Sequence, residues 1–207
     1  GKNPERREVD EDLQAKFVDW AFIKYQEKKE ELRAINMALS AQKRSKVIGA
    51  PERAASTPNK QSKTIARTYT EEDRVRQERL IVEERKRLAD HIATILAVYP
   101  KGKYTAAILF RRAELYFDEA GEQFQARLKA YERSLAEGKD TAGLEFPEYQ
   151  LDSVIATYDK IISGFPHSDV TDGAYFYKAL ALQKIGREEE GNAVLQTLVN
   201  KFPESQY

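Results

Sequence analysis

The sequence predicts an all-α fold, a stack of amphipathic helical hairpins, on three observations. An aromatic-Pro dipeptide recurs, at Tyr99-Pro100, Phe165-Pro166 and Phe202-Pro203. Stepping back 12, 8 and 5 positions from each Pro meets Leu88, Ile92 and Ile95, then Val154, Tyr158 and Ile161, then Gly191, Leu195 and Leu198, all apolar or small. Stepping forward 9, 13 and 16 positions meets Leu109, Ala113 and Tyr116 after the first Pro and Tyr175, Ala179 and Leu182 after the second, in the order large, small, large. Fixed offsets from a repeated punctuation mark are the signature of a repeat. The small middle residue lets two helix backbones approach, and the Pro ends the second helix of each pair because its ring clashes with the preceding turn.

The elements follow in order. Residues 1–9 are polar and read as a frayed start, with Asp10 as the N-cap of a first helix running to Leu39. Leu13, Phe17, Trp20 and Ala21 make one stripe on this helix, and Val18, Phe22 and Tyr25 make a second beside it. Leu32, Ile35 and Leu39 resume it after a charged stretch. So wide an apolar face has to be buried. It either caps the first repeat or, through Phe17, Trp20, Phe22 and Tyr25, docks on a partner or a second copy.

Residues 40–68 lack periodicity, contain Pro51 and Pro58, and read as a linker. Lys43, Arg44, Lys46, Arg53, Lys60, Lys63 and Arg67 stand against Glu52 alone, a charge run suited to an anionic surface or to simple solvation. Thr70-Glu-Glu-Asp73 then resembles a capping box and opens a helix to Val98, dense in opposite charges four apart such as Glu72 with Arg76 and Glu83 with Arg87.

From Tyr104 the stripe Leu109, Ala113, Tyr116, Ala120 continues through Phe124, Leu128, Tyr131 and Leu135 to Gly138. That spacing predicts one helix of about 33 residues, roughly 50 Å long, overhanging its neighbours. Residues 121–147 are thus an extension or insertion, and a partner helix from Glu148 to Ser163 closes the hairpin. The last pair carries Ala174, Tyr175, Ala179 and Leu182 on its first helix. Ile185-Gly186 breaks the chain, and Gly191, Val194, Leu195 and Leu198 lie on the second helix.

Tyr175, Ala179, Leu182, Gly191, Leu195, Leu198 and Pro203 together resemble the signature of the tetratricopeptide repeat (TPR) family: large, small, large, small, large, apolar, Pro. The resemblance covers about residues 75–207. It departs from the family pattern at Val154 and Leu88, where a small residue is usual, at Leu198 in place of Ala, and in the 37 positions from Pro166 to Pro203. The resemblance implies a right-handed helical-hairpin solenoid with the extended helix pair and the N-terminal amphipathic helix appended. The stretch from FPHSD to NKFPES is similar to TPR proteins of the Gram-negative envelope, including outer-membrane, periplasmic and surface-motility scaffolds of delta-type proteobacteria. That implies a periplasmic location.

Composition bounds the chemistry. Lys and Arg number 34 against 34 Asp and Glu, which speaks against a dedicated nucleic-acid binder, and the basic run lacks interleaved aromatic residues to stack bases. There is no Cys, so disulfides and thiolate sites are excluded. His91 and His167 are the two imidazoles. They read as a core-edge and a turn residue rather than as metal ligands. Glu114 with Asp118 and the run Glu188–Glu190 face no second acid or base, and Gly173 and Gly186 are isolated, so no catalytic constellation, metal site or cofactor is expected. No apolar run reaches the 18 or so residues of a membrane span. The end, Pro203-Glu-Ser-Gln-Tyr207, falls between repeats, so the sequence reads as a piece of a longer array.

In this family the first helix of each hairpin lines the concave face. The resemblance therefore implies that Phe110, Glu114, Phe117, Phe176, Leu180 and Gln183 form a protein-binding face, and that a partner peptide or helix or a further repeat covers it. The family's clamp for a charged chain terminus is not matched. The expected function is a non-enzymatic scaffold for other proteins of an envelope machine. The alternatives are a self-assembling subunit with ring or filament contacts and the regulatory region of an enzyme whose catalytic domain lies elsewhere.

Overall fold

The computed structural model describes residues 4–48, 68–138 and 145–207. Six helices appear in it: α1 (Pro4–Ile48), α2 (Glu71–Val98), α3 (Thr105–Ala136), α4 (Asp152–Gly164), α5 (Thr171–Lys184) and α6 (Glu188–Lys201). No strand occurs among the described residues. The chain divides into two compact units, one of residues 1–19 with 89–207, the other of residues 20–88.

In the larger unit α3 packs on α4, α4 on α5 and α5 on α6, the neighbour-to-neighbour order of a helical-hairpin solenoid. One core runs through it, with Leu109, Ala113, Val154, Tyr158, Ile161, Ala174 and Leu182 all buried. The aromatic-Pro marks are structurally equivalent. Tyr99, Phe165 and Phe202 each donate a backbone N–H to the carbonyl four residues back, on Ile95, Ile161 and Leu198, at 2.8, 2.9 and 2.8 Å. After each of the first two marks a buried threonine locks the turn. The Thr105 hydroxyl donates to the Tyr99 carbonyl and the Thr171 hydroxyl to the Phe165 carbonyl, both at 2.7 Å. Between α5 and α6 the chain turns through Gly186 at φ 79°. The Arg187 and Gly186 amides bond back to the Leu182 and Gln183 carbonyls, the paired geometry of a Schellman cap that Gly alone adopts cheaply.

The first helix differs from expectation at both ends. It starts at Pro4, a residue whose fixed φ and missing N–H suit a first helical turn, and it continues nine residues beyond Leu39, through Ala41, Gln42 and Lys43, which are good helix formers. Lys43, Arg44 and Lys46 of the basic run therefore lie on α1, and the rest of that run lies outside the described residues. Asp10 is not an N-cap. It is the first of three consecutive acids that hold the junction before α3: the Tyr99 hydroxyl donates to Asp10, the Tyr104 amide to Glu11 at 3.0 Å, and the Tyr104 hydroxyl to Asp12 at 2.7 Å. Glu11 is buried there, with Oε1 2.0 Å from where a Cβ on Gly102 would stand, so a side chain at 102 would displace the Glu11 carboxylate from this position.

The smaller unit joins residues 20–48 of α1 to residues 71–88 of α2. Phe22, Tyr25 and Ile35 are buried from one helix and Ile81 and Leu88 from the other, at steps of three and ten residues on the first and seven on the second, which keep each set on one helix face. Lys28 pairs with Glu84 at 2.8 Å and Gln77 reaches back to Glu31, so position numbers rise on one helix as they fall on the other, and the two run antiparallel. The capping box is present: the Thr70 amide donates to Asp73 at 2.9 Å, and the Asp73 amide donates to the Thr70 hydroxyl at 3.2 Å. Its Glu71 carboxyl is held below the usual range by the bond to Arg74, with Lys43 adding to the effect.

α3 is the long helix the spacing predicts, 32 residues ending one step before Glu137, with Gly138 at φ 63°. Its partner helix starts at Asp152 rather than Glu148. Residues 145–151 run non-helical along the far half of α3, where Tyr149 stacks on Phe124 at 4.1 Å and Phe146 meets Tyr131 edge-on at 5.5 Å. The Arg127 guanidinium donates to the Glu148 carbonyl at 3.0 Å, so that carbonyl is engaged by α3. The middle of the loop, residues 139–144, lies outside the described residues.

Candidate protein-binding face

The face is built on α3 and α5 in the larger unit. Residues 110, 114 and 117 sit one turn apart on α3, and 173, 176, 177 and 180 sit one turn apart on α5, so each set projects from a single side of its helix. Gly173 makes the meeting close. A Cβ there would lie 3.2 Å from the Phe110 ring and 3.2 Å from the Tyr207 ring, a closer approach than most side chains allow. Phe110 meets Tyr158 edge-on at 5.5 Å and Tyr177 at 5.7 Å, Tyr177 meets Phe176 at 5.3 Å, and Tyr207 stacks on Phe176 at 5.1 Å. Five rings thus form one continuous cluster.

The six residues expected on this face are not all placed alike. Phe117 and Leu180 are 37% and 39% exposed, and with the half-buried Glu114 and Phe176 they line an accessible surface. Phe110 does not line it. At 9% exposure it belongs to the core, because Gly173 lets it pass under α5. Gln183 turns away as well: its amide donates to Asn192 of α6 at 3.0 Å. Tyr177 and Tyr207 take their places. The sequence offered a signal for Tyr177, four residues from Gly173 at helical spacing. It offered none for Tyr207, which reaches the face only because the segment after Phe202-Pro203 folds back over α5.

Charge at the face is organised around Glu114. It accepts from Arg111 at 2.8 Å, and Arg111 also reaches Asp19 at 3.0 Å. Burial nevertheless holds the Glu114 carboxyl above its ordinary range, against the pull of Arg111. Burial likewise raises the Tyr158 and Tyr177 phenols, with Glu114 adding to both. A carboxyl raised in the folded state contributes stability that is present below the ordinary glutamate range and is lost as pH rises through the raised value. Glu114→Gln is therefore expected to raise the urea midpoint at pH 7 and to leave it nearly unchanged at pH 4. An equal shift at both pH values would refute this assignment.

The N-terminal aromatic set divides differently from the expectation. Phe22 and Tyr25 are buried in the smaller unit's seam and cannot dock on a partner, because that seam already covers them. Trp20 is 56% exposed. Phe17, in the larger unit, is 45% exposed and meets His91 edge-on at 4.7 Å. Among the described residues no group of three potential metal ligands occurs, and no helix is long and apolar enough to cross a membrane.

Residues 173–205 match the family model of the tetratricopeptide repeat. The match takes in most of α5, all of α6 and the turn that follows, so this hairpin is similar to a repeat of that family. Comparison with curated proteins and with solved structures gives no match.

Proposed function

We propose that this chain is a non-enzymatic scaffold that holds a partner protein on the α3/α5 face. The observation that carries the reading is the partly exposed apolar set Phe117, Leu180 and Tyr177 beside a charged Glu114–Arg111 pair, an apolar centre with a polar rim on a protein-binding repeat. We further propose that the scaffold works in a bacterial envelope machine on the periplasmic side. That rests on the similarity of the segment from Phe165 to Ser205 to envelope TPR proteins.

A photo-crosslinking residue at Leu180, with a control at Glu190 on α6, tests the reading in the native cell. A heterologous adduct from position 180 alone supports a partner face and identifies the partner, and fractionation of that adduct locates it. Adducts of equal yield from both positions would sink the proposal.

A second reading is favoured by α1. Val9 and Leu13 are more than half exposed and align with Phe17 on the larger unit's part of that helix, a surface suited to a second copy in a self-assembling subunit. Self-adducts from a probe at Leu13, with a mass that rises with concentration, would favour it.

A further inference from the structure

The segment after α6 is the most informative part of the face, because it already sits in it. Tyr207 stacks on Phe176 with an interplanar angle of 26° and meets Tyr177 edge-on at 5.8 Å. Its ring edge lies 3.2 Å from the point where a Cβ on Gly173 would stand. Two residues earlier, the Ser205 hydroxyl donates to the Asp172 carboxylate at 2.8 Å, and the Tyr207 amide donates to the Ser205 oxygen at 3.2 Å. The ring is therefore placed by the Ser205 bond at the entry to α5, by the Ser205 amide's bond to the Phe202 carbonyl at 3.0 Å and by two ring contacts, and it stays 42% exposed.

We infer that the α3/α5 face is a receptor for an aromatic side chain presented by a turn-forming peptide with a hydroxyl residue two positions before it, and that residues 203–207 are its resident competitor. This rests on the proposed binding role of the face and names the class of partner. Three features specify the ligand. The flat Phe176 ring and the edge of Tyr177 make two walls that favour a planar ring over an aliphatic one. Gly173 supplies the depth of the seat. Asp172 accepts a hydrogen bond from the ligand's hydroxyl, which fixes the spacing between that residue and the ring. The few contacts holding Tyr207 suit a displaceable occupant. A partner carrying the same pattern binds in exchange for residues 203–207, and its apparent affinity is its intrinsic affinity multiplied by the fraction of time the seat is free.

The test uses a fluorescent peptide of the chain's own residues 202–207, Phe-Pro-Glu-Ser-Gln-Tyr, and the full chain. If Tyr207 fills the seat about nine-tenths of the time, Tyr207→Ala is expected to bind the peptide about tenfold more tightly than the parent. Ser205→Ala is expected to show an intermediate gain. Adding Phe176→Ala to Tyr207→Ala is expected to remove binding, as is replacing the peptide's own tyrosine by alanine. Matching thermal melts for Tyr207→Ala and the parent confirm that the gain is not a folding effect. Equal binding by parent and Tyr207→Ala, or equal binding of the alanine-ended peptide, overturns the inference. So does a parent mass that doubles with concentration and returns to monomer in Tyr207→Ala, since residues 203–207 would then serve a second copy. Crosslinking at Leu180 separates the two proposals. A partner adduct whose yield is the same in Tyr207→Ala keeps the scaffold reading while the competitor falls.

Discussion

Ile161→Ala is expected to lower the free energy of unfolding by about 3–4 kcal/mol, toward the upper end of what aliphatic-to-alanine changes cost in a core. The reason is position as well as burial. Ile161 has no exposed surface, and its carbonyl accepts the Phe165 amide that closes α4. It sits in the buried cluster that α3, α4 and α5 share, so the space left by three lost carbons lies inside the core rather than under a mobile surface chain. The members of that cluster are divided among three packed helices, so closing the gap requires a backbone to move. Urea unfolding followed by circular dichroism checks this. The midpoint is expected to fall with the slope unchanged. A cost below about 1 kcal/mol would mean that the site collapses freely and that the hairpins are not packed as described.

Gly191→Ala and Gly121→Ala are expected to have opposite signs. In α6, a Cβ at Gly191 would stand 2.9 Å from the Ala179 carbonyl oxygen and 2.8 Å from the Gln183 side chain, so α5 and α6 must separate to admit it. Overpacking against a backbone atom is expected to cost about 2 kcal/mol net, exceeding the gain of about 1 kcal/mol from replacing a helical glycine. Gly121 lies within α3 with nothing within 4 Å of the point where a methyl group would stand, so there only the propensity gain of about 0.5–1 kcal/mol remains. Thermal melts of the two variants beside the parent decide the matter. Stabilisation by both would show that α5 and α6 have slack where the geometry shows contact.

These sites also show what could be read from the residues in advance. The offsets from each aromatic-Pro pair identified Ile95, Ile161 and Leu198 as equivalent, because a helix end and its buried face are local properties of the chain. Gly186 as a break, Thr70 as a cap and the long α3 were legible for the same reason. What could not be read depends on partners distant in sequence. Residues 148–151 carry no strong helix breaker after Pro147, yet they stay non-helical where Arg127 and Phe124 engage Glu148 and Tyr149. Asp10 has the chemistry of an N-cap, but a tyrosine 89 positions away takes its carboxylate. At the candidate face, the family resemblance supplied Glu114, Phe117, Phe176 and Leu180. It placed Phe110 and Gln183 on the same side because periodicity cannot reveal that a glycine on one helix lets a ring sink beneath it, or that an amide finds its partner on the next helix.

The neighbour-to-neighbour packing of α3 through α6 has a consequence for how the chain folds. Each helix touches mainly the one before and the one after it, so the loops that must close are short and the entropy of closing them is small. Such wiring favours fast folding. It also favours growth of order from one hairpin outward, with no single step that must assemble the whole core at once. Opening is then expected to proceed by units as well, and a hairpin at the margin can release its backbone amides to solvent while its inner neighbours remain closed. A binding face shared between two successive hairpins is consequently sensitive to the looser of the two, and occupancy of that face would slow its opening.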